Sequence, residues 1–292
     1  MAKPPRFTTA EALALLYPEG ATLDTLGCAQ TSDEDAIHCA IEKRYADDKK
    51  GLATARAMFD EFGSIAGLEA EQTMEGGWRG TIHIVPERPI GQYQHHFDWV
   101  LDAERDIKTV FDAIDAKKTH PVLYRHAPIG WKFMRSVGKR TPSAYASDWR
   151  VGYNVSGSLN ISMVAVRDTM VHEIFHDNDF EQGEWSRKTI GDVFDSIVAK
   201  CGTRIDCLTP YTPIKTVVVG GTYYSFQPNN GDACHEYAAE LASRYFIETR
   251  AAIKGEKLPE KPFKCGPPEN AKTWNAIVDK FFGGVDLSPA CP

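Results

Sequence analysis

Several stretches of the chain repeat apolar residues at the spacing of an amphipathic helix. The longest covers residues 97–114, where the apolar side chains would share one helix face, at positions 97, 100, 101, 107, 110, 111 and 114. The same spacing predicts further helices over residues 8–17, 32–45, 52–62, 190–200, 232–252 and 271–282. Helices are therefore expected at both ends of the chain.

Runs rich in β-branched and aromatic residues, bounded by Gly or Pro, predict strands between these helices. They cover residues 80–86, parts of 121–137, 149–166 and 214–226. The run over 149–166 leads into another helix, for which Asp168 would be the N-cap. An order of helices, then mixed strands and helices, then mostly helices predicts an α+β fold with that helix beside a mixed sheet.

Length and charge restrict the class of protein. A chain of 292 residues can bury a sizeable core without help from disulfides or structural metal ions. A bound metal is therefore expected to be catalytic rather than structural. With 33 basic and 40 acidic residues the net charge is -7, which argues against nucleic acid and anionic membranes as partners. No apolar run is long enough for a membrane span, and residues 1–6 lack the apolar core of a secretory signal.

The seven cysteines leave two redox interpretations open. Three pairs could each close a short loop and would leave Cys234 unpaired, namely Cys28–Cys39, Cys201–Cys207 and Cys265–Cys291. One interpretation is a cytosolic protein with reduced thiols. The other, slightly favoured, is an exported protein with disulfides and no visible signal peptide. The absence of C-x-x-C spacing argues against a thiolate zinc site.

The segment His-Glu-Ile-Phe-His, residues 172–176, carries the clearest chemical signal. On a helix, His172 and His176 share one face, and both imidazoles reach a single ion. In this arrangement two neutral histidines bind Zn²⁺, and Glu173 is the general base for the attacking water. The alternative is a surface helix with two incidental histidines, but Val171, Ile174 and Phe175 give the helix an apolar face for packing.

A catalytic zinc ion needs a third protein ligand and one open position. The extended motif with a glycine and a third histidine is absent, because Asp179 and Gln182 stand at those places. Glu236 is the favoured third ligand, since it lies on a predicted helix whose alanines allow close approach to another helix. Glu240 shares its face and is expected to accept a hydrogen bond from a ligand imidazole, which would fix that ring's tautomer.

Three other residues remain candidates for the third ligand. Asp192 and Asp195 lie closer in sequence to the histidines, although the helix around them has the spacing of an ordinary amphipathic helix. His235 is adjacent to Glu236, but a helix turns it about 100° away from the face of Glu236 and Glu240. We therefore rank all three below Glu236.

The chain resembles the gluzincins, which are zinc metalloproteases that combine H-E-x-x-H with a downstream glutamate. Among the gluzincins it is similar to the catalytic domain of anthrax lethal factor and related toxins. Four features carry this resemblance, and they occur in the same order along the chain. They are a strand leading to the motif 172–176, a helix at 190–197, the Glu-Tyr-Ala-Ala-Glu helix at 236–240 and a closing segment at 270–281. The resemblance covers about residues 150–285 and implies a zincin-like domain. We expect that domain over 76–292, after a helical N-terminal segment over 1–75.

The resemblance implies a zinc-dependent endopeptidase with His172, His176 and Glu236 as ligands and Glu173 as base. Members of this group also place a tyrosine shortly before the ligand glutamate, where it stabilises the oxyanion. Here Asn229 stands at that spacing, so Tyr224 is the candidate and Tyr223 its substitute. The alternative for either tyrosine is packing in a strand.

These observations predict a zinc metallopeptidase that hydrolyses peptide bonds in a protein or peptide substrate. An exported effector or toxin is the expected context, with a delivery or immunity protein as a further partner; a cytoplasmic enzyme is the alternative location. Two other functions stay open: an amidase that uses the same zinc site on cell-wall peptides, and a binding module without catalysis.

Overall fold

The computed structural model describes residues 6–28, 32–76, 80–228 and 231–291. The protein is of the mixed α+β class, with about 52% helix and a curled sheet, which confirms the predicted class. In the described part, the helices are α1 (Thr9–Leu16), α2 (Leu23–Leu26), α3 (Asp33–Arg44), α4 (Lys49–Phe62), α5 (Gln94–Asp115), α6 (Met163–Glu181), α7 (Trp185–Cys201), α8 (Ile205–Leu208), α9 (Ala233–Lys254) and α10 (Pro268–Phe281). The strands are β1 (Ile65–Leu68), β2 (Gln72–Glu75), β3 (Thr81–Pro86), β4 (Gly130–Ser136), β5 (Ala144–Ser147) and β6 (Arg150–Asn154).

The chain forms two compact units. The first comprises Met1–Asp106 and His126–Glu173, and the second comprises Ile107–Arg125 and Ile174–Pro292. Helices α5 and α6 are continuous and contribute residues to both. The domain boundary expected at residue 75 lies within the first unit and stays a prediction.

The first unit is built on the mixed sheet. Its strand order is β2-β3-β4-β6-β5, and β1 also pairs with β4. Strand β4 runs parallel to β1 and β6, whereas the other pairs are antiparallel. Helix α1 lies directly on β1, because a Cβ atom at Gly67 would come within 2.5 Å of the Leu15 carbonyl oxygen. Phe97 of α5 packs edge-on against Phe133 of β4, with 5.4 Å between ring centroids, so α5 covers the sheet.

Helix α6 begins earlier than predicted. Strand β6 ends at Asn154, and Ser162 accepts a hydrogen bond from the Ala165 amide (3.2 Å) where the helix begins. The predicted strand over 155–166 and the predicted Asp168 cap are therefore wrong. Instead, Asn160 donates to the backbone oxygen of Asn154 (2.9 Å) and holds a loop before the helix. This local capping overrides the β propensity of the segment.

The first half of α6 is anchored within the first unit by a buried ion pair. Arg167 is only 4% exposed and lies 2.9 Å from the Asp106 carboxylate of α5. Asp168, which lies inside α6, contacts the same guanidinium at 2.7 Å. Because a buried charge is costly without its partner, this pair ties the helix to α5.

The second unit is mostly helical, and aromatic rings fill its core. Phe281 of α10 meets Phe175 of α6 and Trp185 of α7, each at 5.0 Å between ring centroids. Asn178 fixes the second half of α6, because its side chain accepts from the Arg125 amide (2.7 Å) and donates to the Arg125 carbonyl (2.8 Å). The helices predicted around residues 190–200, 232–252 and 271–282 are confirmed as α7, α9 and α10.

Two strand predictions fail in part. Residues 121–129 lack regular structure, and the strand of that region is β4 alone. The run over 214–226 contains only an isolated bridge between Val217 and Tyr223 and a 3₁₀ turn, Tyr224–Phe226. The positive φ angles of Gly220 and Gly221 turn the chain back at once, so no extended ladder develops.

The cysteine pairing follows the prediction. The described residues include the disulfides Cys28–Cys39, Cys201–Cys207 and Cys265–Cys291, while Cys234 is a buried free thiol. Each disulfide closes a short loop, the longest with a sequence separation of 26 residues. No helix in the described part of the chain is long and apolar enough to cross a bilayer.

Candidate metal centre

The histidines of the motif lie on the open face of α6. Val171, Ile174 and Phe175 are buried, whereas His172 and His176 are partly exposed. The helix therefore packs through its apolar residues and presents both imidazoles on its other side.

Helix α9 supplies the carboxylate. Asp232 is its N-cap and accepts a hydrogen bond from the Cys234 amide (3.0 Å), which places Glu236 in the first turn. One ligand atom from each of His172, His176 and Glu236 lies within 4.8 Å of the others. The structure thus brings together the three residues selected from the sequence.

The geometry and chemistry of this group fit a divalent metal ion. In a tetrahedral zinc site with bonds of about 2.0–2.2 Å, ligand atoms lie about 3.3–3.6 Å apart. The His176 Nε2 and Glu236 Oε2 atoms are separated by 3.5 Å, and their side chains are 24% and 18% exposed. Two imidazole nitrogens and one carboxylate oxygen are donors typical of zinc, and partial exposure leaves access for a further ligand.

The other candidates for the third ligand are engaged elsewhere or exposed. Asp195 forms a bidentate ion pair with Arg187 at 2.9 and 3.0 Å, and Asp192 is exposed on α7. His235 pairs with Asp179, with 3.0 Å between Nδ1 and Oδ2. None of these residues belongs to the convergent group within the described residues.

Glu173 follows His172 on α6 and is partly exposed. A step of one residue rotates it about 100° around the helix from His172, so it is not one of the converging donors. A carboxylate beside the ligands, rather than among them, is what a general base for an attacking water requires. That role stays a prediction.

Glu240 lies one turn after Glu236 but is buried, at 3% exposure. Its carboxylate accepts hydrogen bonds from the Ser225 hydroxyl and the Ile214 backbone N–H. Burial, aided by the negative charge of Glu236, raises its pKa to about 8 although these two hydrogen bonds oppose the shift. Glu240 thus holds both ends of the loop between Ile214 and Ser225, while its expected hydrogen bond to a ligand imidazole stays a prediction.

The two tyrosine candidates differ in their surroundings. Tyr223 is buried and its hydroxyl lies 3.0 Å from the Thr209 hydroxyl. Tyr224 is partly exposed, and its backbone N–H donates to the Thr216 carbonyl (2.8 Å). Asn229, which stands at the spacing of the related tyrosine, lies outside the described residues. Tyr224 therefore remains the better candidate for contact with a substrate.

Asp179 is a site residue that the sequence did not reveal. It is fully buried, yet hydrogen bonds from His235 and Ser186 outweigh the effect of burial and keep its pKa below the usual value. Its only sequence signal is a carboxylate placed three positions after His176, where the extended motif would have a glycine. The partners at 186 and 235 cannot be read from local spacing.

Comparisons with known proteins add no family assignment. No protein-family model matches the chain, and no curated protein and no solved structure matches it either. The convergence of His172, His176 and Glu236 is therefore the feature of the described residues that points to a function.

Proposed function

We propose that this protein is a zinc-dependent metallopeptidase with a zincin-like catalytic domain, as in the gluzincins. The proposal is carried by one observation: the donor atoms of His172, His176 and Glu236 lie within 4.8 Å of one another, with Glu173 beside them on α6. Two histidines and one glutamate with an open fourth position are the ligand set of zinc peptidases.

In the proposed site, His172 and His176 hold zinc through neutral imidazoles and Glu236 through its carboxylate. When bound, zinc would act as a Lewis acid that polarises the peptide carbonyl and lowers the pKa of the attacking water to near neutrality. Glu173 accepts the proton of the attacking water and then delivers it to the leaving amine. Tyr224 donates a hydrogen bond to the developing oxyanion, with Tyr223 as its substitute.

Three disulfides support an exported enzyme, because such bonds persist in oxidising compartments. The net charge of -7 supports a protein or peptide substrate rather than nucleic acid. We therefore propose an effector or toxin that cleaves a partner's protein, with a delivery or immunity protein as its second partner.

The test compares the purified protein with its Glu173→Gln variant. Both should retain about one zinc ion per chain by metal analysis, since Glu173 is not a proposed ligand. Only the wild type should cleave a denatured protein mixture, because glutamine cannot accept the proton. Equal cleavage by the variant would refute the assigned base.

A parallel digestion of purified peptidoglycan separates the proposal from a cell-wall amidase. Cleavage of the wall peptides alone would replace peptidase by amidase at the same site. Zinc content far below one ion per chain in protein prepared with zinc would refute the metal site itself.

A further inference from the structure

The buried carboxylate of Asp179 joins three helices of the second unit. It belongs to α6, and its two oxygens accept from the Ser186 backbone N–H (2.7 Å) and the Ser186 hydroxyl (2.5 Å) at the start of α7. Its Oδ2 atom also lies 3.0 Å from the His235 Nδ1 atom in the first turn of α9. One side chain thus fixes where α7 and α9 begin relative to the end of α6.

His235 is held from its other side as well. Its Nε2 atom lies 3.7 Å from Asp232, the residue that caps α9. Asp232 in turn lies 3.5 Å from the Arg187 Nε atom of α7. The imidazole therefore stands between two carboxylates, and the first turn of α9 is fixed by polar contacts on both sides.

These contacts adjoin the proposed metal ligands in sequence. Asp179 follows His176 by three positions, a rise of about 4.5 Å along the helix. His235 immediately precedes Glu236. The Asp179–His235 pair is thus a direct link between the backbone segments that carry His176 and Glu236, whose donor atoms are 3.5 Å apart.

A rigid link matters here because metal sites tolerate little displacement. Ligand distances in a working site stay within about 0.2 Å of ideal values, so a small shift of α9 would weaken coordination by Glu236. Stability alone is a weak reason to keep such a pair, since apolar residues often replace a buried ion pair without loss.

We propose that Asp179 and His235 form a positioning clamp that sets Glu236 against His176 and thereby sets the metal affinity of the site. The clamp rests on the proposed function, because it acts on the ligands of that metal. Asp179 and His235 are positioning residues: neither is a member of the ligand group.

The test measures zinc affinity by competition with a chelator and records the visible absorption of bound Co²⁺, which reports coordination geometry. Asp179→Asn and His235→Ala should weaken zinc binding by about tenfold and change the Co²⁺ spectrum. His235→Asn should stay close to the wild type, because its amide nitrogen replaces the Nδ1 donor. Asp192→Asn, which changes an exposed carboxyl group of α7 outside these contacts, is the matched control and should bind zinc as the wild type does.

Thermal unfolding of each variant in excess chelator separates positioning from folding. If the pair acts as a clamp, a variant can bind zinc more weakly even when its metal-free stability is unchanged. The zinc affinity lost in His235→Ala should also be restored in His235→Asn. Wild-type affinity and spectrum in both Asp179→Asn and His235→Ala would overturn the clamp. A wild-type protein that binds no zinc would instead overturn the proposed function, so the two failures are distinct.

Discussion

The buried carboxyl group of Glu104 should make the stability of the first unit depend on pH. Glu104 lies on α5, is 2% exposed, and its Oε1 atom accepts from the Ser64 hydroxyl (2.8 Å) and the Trp131 Nε1–H (3.1 Å). Its Oε2 atom is buried and has no hydrogen-bond partner among the described residues. Burial, with a small contribution from Glu61, raises its pKa from 4.5 to about 8, although these two hydrogen bonds oppose the shift.

The sign of the pH dependence follows from this raised pKa. Well below pH 4.5 the carboxyl is protonated in both the folded and the unfolded chain, and its contribution to stability is fully present. As the pH rises toward 8 the unfolded chain releases the proton while the folded chain keeps it, so the free energy of unfolding falls. At pH 7 the loss is on the order of 3 kcal/mol, taking about 1.36 kcal/mol for each unit of pKa.

Glu104→Gln removes this dependence with little change of shape. The amide oxygen accepts from Ser64 and Trp131 as Oε1 does, and the side chain no longer ionises in the unfolded chain. Relative to the wild type, the variant should therefore gain about 3 kcal/mol in free energy of unfolding between pH 5 and pH 7.5.

Urea unfolding at both pH values, with the disulfides intact, measures this gain, and hydrogen exchange in β4 assigns it to the sheet. Glu75→Gln changes an exposed carboxyl of the same unit and should show no such gain. Comparing each variant with the wild type at the same pH cancels the contribution of Glu240, whose pKa is also raised. A difference between Glu104→Gln and the wild type that is equal at pH 5 and pH 7.5 would refute the reasoning.

Three further predictions concern the metal centre. Glu236→Ala should lower zinc affinity far more than Asp192→Ala, measured by chelator competition, because only Glu236 belongs to the convergent group; the reverse ranking would move the third ligand to α7. Tyr224→Phe should lower kcat by about a hundredfold in peptide cleavage. Tyr223→Phe should instead lower the free energy of unfolding by about 1 kcal/mol, because the hydrogen bond to Thr209 is lost. A large fall in kcat in Tyr223→Phe would assign the oxyanion role to Tyr223 instead of Tyr224.

Strong local periodicity made much of the fold predictable. The long amphipathic pattern of α5 and the alanine-rich pattern of α9 each specify a helix without knowledge of their partners, and both helices are present. The cysteine pairs were predictable for a similar reason, since each closes a short loop. The same holds for the histidines, whose spacing on α6 fixes their common face.

The failures come from segments whose structure depends on distant partners. Residues 155–166 have strand-like composition, but a strand needs a neighbour to pair with, and the Ser162 cap gives the backbone a helical alternative. The strands β1, β2 and β5 were missed because they are short and their stability comes from pairing with β4, β3 and β6. The role of Asp179 was not predicted because its partners lie 7 positions away at Ser186 and far downstream at His235.

The two glutamates on α9 show how one helix face can hold two carboxyl groups with different tasks. Like charges one turn apart repel, and a sequence alone leaves open how that repulsion is relieved. Here burial raises the pKa of Glu240 to about 8, so this group is mostly neutral at pH 7 and binds the loop from Ile214 to Ser225. The partly exposed Glu236 converges with the histidines. A carboxyl group binds a divalent cation in its deprotonated form. In the proposed site, environment rather than residue type would therefore make Glu236 the ligand and would leave Glu240 to contact the loop that carries Tyr224.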